Sequence, residues 1–289
     1  MGEIKPHRRL SVISDIGIFV FVVLLSIGLL QLYFTLTHQE VPYNEISSLI
    51  SEDKIISIGE ENKKLIKQIK NEYNVTVLFG KDVATYAPMV EGVEQRDEYI
   101  VNNNLHIIEQ ALQKYPKAIF GQISESKHPV YIMLLDSFQN NNLALAARNN
   151  LNEYKIYISN TSQFERAFHH EMYHVLEYVM GDKESYLFAS WYRYNPIGFK
   201  YQSDITKLDR MYVYDKEAIS SESFYFVTLY SKVADKEDRA ELFAEGMIAT
   251  KKPSYFKLGE PLRNKIEGIM AEIRENITTE PFYLDKFLT

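Results

Sequence analysis

Between Ser162 and Gly181 the chain reads S-Q-F-E-R-A-F-H-H-E-M-Y-H-V-L-E-Y-V-M-G. Ser162 and Glu165 form an S-x-x-E capping-box signature, and Gly181 stands where a left-handed C-terminal cap would fall. The spacing therefore predicts one helix across the stretch. Phe168, Met172, Val175 and Val179 recur at helical intervals and form an apolar stripe that a core must cover. His170 and His174, four apart, leave from a different face and project side by side. Two imidazoles so placed can grip one divalent metal ion, and Glu171 then flanks whatever occupies the ion's open position. The bland alternative is an exposed helix with incidental histidines, and a third ligand elsewhere in the chain would weigh against it. His169 points about 100° away from His170 and is expected to be structural or exposed.

The ligands available are restricted by composition. The 289 residues contain no cysteine, which excludes disulfides, thiolate-bound zinc and thiol catalysis, leaving histidine and carboxylates as the strong metal ligands. A net charge of −7 supplies no basic face for nucleic acid, so no nucleic-acid partner is expected. Charged residues at 25% and hydrophobic residues at 46% are the balance of a folded chain of one sizeable domain.

Ile16 to Leu36 is a run of 21 positions without a charge. As a helix it would span about 30 Å, the thickness of a bilayer core. A cleavable signal peptide would have a shorter apolar region ending in an A-x-A-like site, and a buried globular helix is the third reading. An uncleaved anchor fits best. Lys5, Arg8 and Arg9 precede the span, while Glu40 and Glu45 follow it. This asymmetry predicts a cytoplasmic tail at 1–15, a single transmembrane anchor at 16–37, a linker at 38–60 and an extracytoplasmic domain at 61–289.

Within that domain, helices are expected over Asn62 to Tyr73 and Tyr99 to Tyr115, the second ended by Pro116. Strands are expected over Asn74 to Gly80, Val130 to Leu135 and Leu151 to Ile158, the last leading into the His170 helix. The alternation predicts an α+β fold. Downstream, the aromatic-rich segment from Tyr186 to Tyr201 carries an Asn195-Pro196-Ile197-Gly198 turn. It reads as core plus a surface turn, or as the wall of a cleft.

The third ligand is sought in Asp235-Lys-Glu237-Asp-Arg239-Ala-Glu241-Leu-Phe-Ala-Glu245, a helix by its Asp235 cap and its Ala240, Phe243, Ala244 and Met247 face. Glu237, Glu241 and Glu245 form a carboxylate stripe that repels itself, so something cationic should compensate it. Solvent with Lys236 or Arg239 would suffice, and a metal ion with its histidines would do it better. One glutamate can bind the ion while the next, four residues on, accepts from the ring N–H of a ligating histidine. The pair is either Glu237/Glu241 or Glu241/Glu245.

With Tyr230 separated from Glu237 by six residues, and E-x-x-A-E-L-F from Glu237 to Phe243, the chain resembles the gluzincin-type zinc metallopeptidases of the anthrax lethal factor catalytic-domain kind. That group includes the Pro-Pro endopeptidases. The resemblance covers about residues 70–270. It implies a zincin-like metallopeptidase domain, a small sheet with an edge strand over the helix, and one catalytic zinc ion. It further implies His170, His174 and Glu237 as ligands, Glu241 behind them, Glu171 as general base and Tyr230 as a donor to the oxyanion. The strand 151–158 would pair with an extended protein or peptide substrate. The expected activity is that of a membrane-anchored, extracytoplasmic zinc metalloendopeptidase. Two alternatives are a membrane-tethered binding module with a structural or vestigial metal, and a non-proteolytic zinc hydrolase acting on wall or lipid components.

Overall fold

The computed structural model describes residues 52–86, 92–125, 129–139, 142–148, 153–181, 188–201, 225–257 and 260–289. The expected tail and anchor, 1–37, lie outside them, and no described helix is long and apolar enough to cross a membrane.

The first helix, α1 (Glu52–Tyr73), starts ten residues ahead of the expected Asn62 and sends Leu65, Ile69 and Tyr73 into the core. It stops at Asn74, whose φ of 54° and N–H bond to the Lys70 carbonyl (2.9 Å) make a left-handed cap that turns directly into β1 (Val75–Leu78). After α2 (Lys81–Tyr86) and β2 (Gly92–Glu94) comes α3 (Glu98–Leu112), whose N-terminus is capped by Asp97. Its carboxylate accepts from the Tyr99 and Ile100 N–H groups at 2.9 and 3.2 Å. A helix with no counterpart in the sequence expectations, α4 (Lys117–Glu125), follows Pro116.

β3 (Val130–Phe138) and β5 (Tyr154–Ser159) form the middle of a mixed sheet ordered β1-β3-β5-β4. β1, β3 and β5 run parallel, with Val130 opposite both Val75 and Tyr154. The far end of β3 pairs with β2 in the antiparallel sense. β4 (Ala144–Arg148) lies antiparallel to β5, Ala146 opposite Ile156, and is the described edge of the sheet. Every residue of β5 is buried, as expected for a strand flanked on both sides. The expectation that this strand carries the free edge is therefore wrong: the chain doubles back through 142–148 and covers it. The alanine-rich A-L-A-A-R has little intrinsic strand preference, and its pairing with β5 is what makes it a strand.

The longest apolar helix, α5 (Phe164–Gly181), packs across β4, β5 and α3, with Phe168, Met172, Val175 and Val179 buried as the stripe requires. Glu165 gives its carboxylate to the Lys114 ammonium (2.6 Å) instead of closing a capping box. α6 (Asp235–Ile248) packs against α5, and α7 (Pro261–Asn276) packs against both. Ala234, not Asp235, is the N-cap of α6, because the Asp235 carboxylate accepts from Arg239 Nη1 at 3.1 Å.

The described aromatics after α5 are chiefly structural. Trp191 and Tyr201 both donate to Asp238 Oδ2 (3.1 and 2.7 Å), which also receives the fully buried Lys265 ammonium at 2.6 Å. Tyr194 lies over Gly268, where an added Cβ would meet its hydroxyl at 2.9 Å. Phe188, Trp191 and Tyr194 thus form core, Ile197 is solvent-exposed, and the described part of the segment does not wall the cleft described below.

Candidate metal centre

α5 and α6 meet antiparallel, and their facing residues repeat every four positions on both helices. Arg166, His170 and His174 of α5 stand against Glu245, Glu241 and Glu237 of α6. Arg166 Nε donates to Glu245 Oε1 (3.1 Å), and its two terminal nitrogens fork onto Glu241 at 3.1 and 2.7 Å. His170 Nδ1 stands 2.8 Å from Glu241 Oε1. His170 Nε2 and His174 Nε2 stand 3.1 and 3.3 Å from the same oxygen, Glu237 Oε2. The cation that compensates the glutamate stripe is thus Arg166, which the sequence expectations did not single out. It sits one turn ahead of His170, on the same helix face. Arg239 turns away to Glu177 and Asp235, and Lys236 approaches only the outer Glu237 oxygen, at 3.7 Å.

Among the described residues, His170, His174 and Glu237 form the group able to offer one donor atom each to a single ion. The two Nε2 atoms are 3.2 Å apart, so the three donors form a nearly equilateral triangle of 3.1, 3.2 and 3.3 Å. Donors about 2.0–2.1 Å from a tetrahedral zinc ion stand roughly 3.3 Å from one another, so the triangle fits one face of such a site. Two imidazole nitrogens and a carboxylate oxygen are zinc donors by type as well as by spacing.

The electrostatics point the same way. Burial disfavours a charged His170 imidazole, yet its contacts to Glu237 and Glu241, with the charge of Glu171, outweigh burial and raise its pKa to about 10. His174 is also raised: burial opposes charge there too, but Glu177 and Glu237 override it. Burial pushes Glu237 up, while the two imidazoles hold its carboxyl well below the usual carboxylate range. Glu241 feels burial too, but Arg166 and His170 bring it down to about 2. The site therefore favours positive charge between its ligand atoms, the condition a divalent cation satisfies.

His169 faces the other way. It is completely buried with Nδ1 at 2.7 Å from the Tyr115 hydroxyl, and burial, against the pull of Glu165, lowers its pKa to about 4. It is a neutral core histidine.

One cleft exposes the ligand group. It is lined by Asn142, Ala144 to Ala146 of β4, His170, Glu171, His174, Glu177, Tyr178, Tyr230, Lys236 and Glu237. Glu171 is buried at its floor, which raises its carboxyl pKa, although an Ala146 backbone bond from β4 and the neighbouring imidazoles oppose the rise. The Tyr230 ring lies 6.0 Å from the His170 ring. The turn that carries it is tied to the glutamate helix: Ser231 N–H donates to Thr228 Oγ1 (3.1 Å), and that hydroxyl donates to Glu241 Oε2. Two helices and one short turn thus bring together all six residues singled out from the sequence. Arg166, Glu177, Arg239 and the β4 edge are the additions. The first two lie one turn from a motif histidine, and that spacing was the available signal.

No family model matches the chain, and no curated protein matches it. One similar solved structure is that of a candidate zinc-binding metallo-peptidase from Bacteroides caccae, with 16% sequence identity and a TM-score of 0.44, covering 83% of this chain and 92% of that chain.

Proposed function

We propose that this chain is a zinc metalloendopeptidase of the gluzincin kind that resembles the anthrax lethal factor catalytic domain, carried outside the cell membrane on the anchor 16–37. The observation that carries the reading is the donor triangle of His170 Nε2, His174 Nε2 and Glu237 Oε2, opening into a cleft with Glu171 at its floor. The cytoplasmic tail and single-pass orientation rest on the charge asymmetry around the apolar run.

His170, His174 and Glu237 would hold a zinc ion, which when bound would supply Lewis acidity for a water and for the scissile carbonyl. Glu171 takes the proton of the attacking water and later delivers it to the leaving amine, and burial raises its carboxyl pKa. Tyr230 donates its phenolic hydrogen to the carbonyl oxygen as negative charge develops there. β4, which among the described residues pairs only with β5 and has Ala144 to Ala146 on the cleft, offers backbone donors and acceptors to an extended peptide.

The full chain, purified with its anchor in detergent, is expected to cleave members of a broad peptide library. Activity should vanish on chelation and return with added zinc. Stoichiometric zinc without cleavage of any peptide would leave a metal-bearing binding module as the better account.

A further inference from the structure

Each imidazole of the metal group has its own carboxylate and its own arginine, and the two sets cross between the helices. For His170 the arginine comes from α5 and the carboxylate from α6, as Arg166–Glu241–His170. For His174 the sources are exchanged. Arg239 of α6 donates through Nε to Glu177 of α5, and Glu177 Oε2 faces His174 Nδ1 at 3.5 Å. The second set is looser than the first, where the corresponding contact is 2.8 Å. Both arginine side chains are almost fully buried, at 8% and 7% exposure, so neither is an incidental surface partner.

Arg239 is also clamped from a third direction. Its guanidinium carbon lies 4.3 Å from the centroid of the Phe188 ring and 5.4 Å from that of Trp191. Phe188 holds a φ of 56°, which a bulky residue adopts only at a cost. Its ring meets Trp191 edge-on at 5.8 Å, and Trp191 is bonded to Asp238 of α6. A strained aromatic stacked on a buried arginine, itself bonded to the carboxylate facing a ligand histidine, forms one connected device.

We infer that Glu177 and Arg239 are the positioning residues of His174, and that Phe188 holds Arg239 in place for that purpose. This rests on the zinc reading above. Glu177 keeps the proton on Nδ1 and leaves Nε2 free toward the ion, and its charge makes the imidazole a better donor. Arg239 fixes the carboxylate, and Phe188 prevents the guanidinium from swinging out. The metal centre thereby becomes sensitive to the segment that follows α5.

The test is zinc affinity of the full chain by competition with a chromophoric chelator, together with the visible spectrum of the cobalt-substituted protein. Glu177→Ala should weaken zinc by about 10–100-fold and shift the cobalt bands, with Glu177→Gln falling between it and wild type. Arg239→Lys and Phe188→Ala should each weaken zinc by a smaller factor in the same direction. Zinc affinity within about twofold of wild type for Glu177→Ala and Arg239→Lys would overturn the inference. If Glu177→Ala does not fold, Glu177→Gln carries the test, and wild-type affinity and spectrum in that variant would overturn it equally. A wild-type chain that binds no zinc, or a His174→Ala variant that binds as tightly as wild type, would instead overturn the metal reading beneath it.

Discussion

Glu171→Gln is expected to keep its zinc and lose peptide hydrolysis by about 10²–10⁴-fold. The substitution preserves shape and removes only the proton acceptor. Glu171 is not among the three donor atoms, so the ion's affinity should change little. Glu171 lines the cleft together with the ligand group and β4, and its carboxylate accepts a bond from the Ala146 backbone. A glutamine oxygen can keep that bond but cannot accept a proton from water. The measurement is kcat with zinc content determined on the same preparation. Full activity with full zinc would remove Glu171 from the chemistry, whereas loss of both would show a ligand or folding defect.

Arg166→Ala is expected to cost about 3–5 kcal/mol of stability, because it leaves buried carboxylates without their cation. Glu241 is 1% exposed and receives both terminal nitrogens of Arg166, and Glu245 receives the third. Removing the guanidinium leaves Glu241 and Glu245, one turn apart on α6, without the cation that separates their charges. The Glu241 carboxyl pKa, now held at about 2, should rise as its largest favourable partner disappears. Denaturant unfolding of the metal-free protein measures the loss without the confounding contribution of bound zinc. A change below about 1 kcal/mol would mean that Glu241 and Glu245 are solvated in solution.

These two residues differ in how visible they were in the sequence. Glu171 lies inside H-E-x-x-H, where adjacency to both histidines fixes its place as soon as the helix forms. The apolar stripe of that helix and the short strand runs were legible because each follows a simple period. Arg166 follows no motif. Its role depends on α5 and α6 packing antiparallel in one register, which no local pattern encodes. The same holds for α6 itself: six charged residues among its first seven positions read as a solvated face, yet Glu237, Asp238, Arg239 and Glu241 are all buried. They are tolerated there because partners from α5, α7 and the Trp191 segment meet each charge. The edge strand was missed for a related reason, since Ala144 to Arg148 becomes a strand through tertiary pairing. The tyrosine spacing of a resemblance separates Glu237 from Glu241; in the structure Glu237 Oε2 lies 3.1 and 3.3 Å from the two Nε2 atoms, and Glu241 Oε1 faces His170 Nδ1 at 2.8 Å.

That distinction is the centre of the account, and zinc content by atomic emission on purified Glu237→Ala and Glu241→Ala chains tests it most directly. The account predicts about one zinc per wild-type chain, none retained by Glu237→Ala after dialysis, and a weakened but measurable site in Glu241→Ala. Full zinc in Glu237→Ala, with loss only in Glu241→Ala, would contradict it.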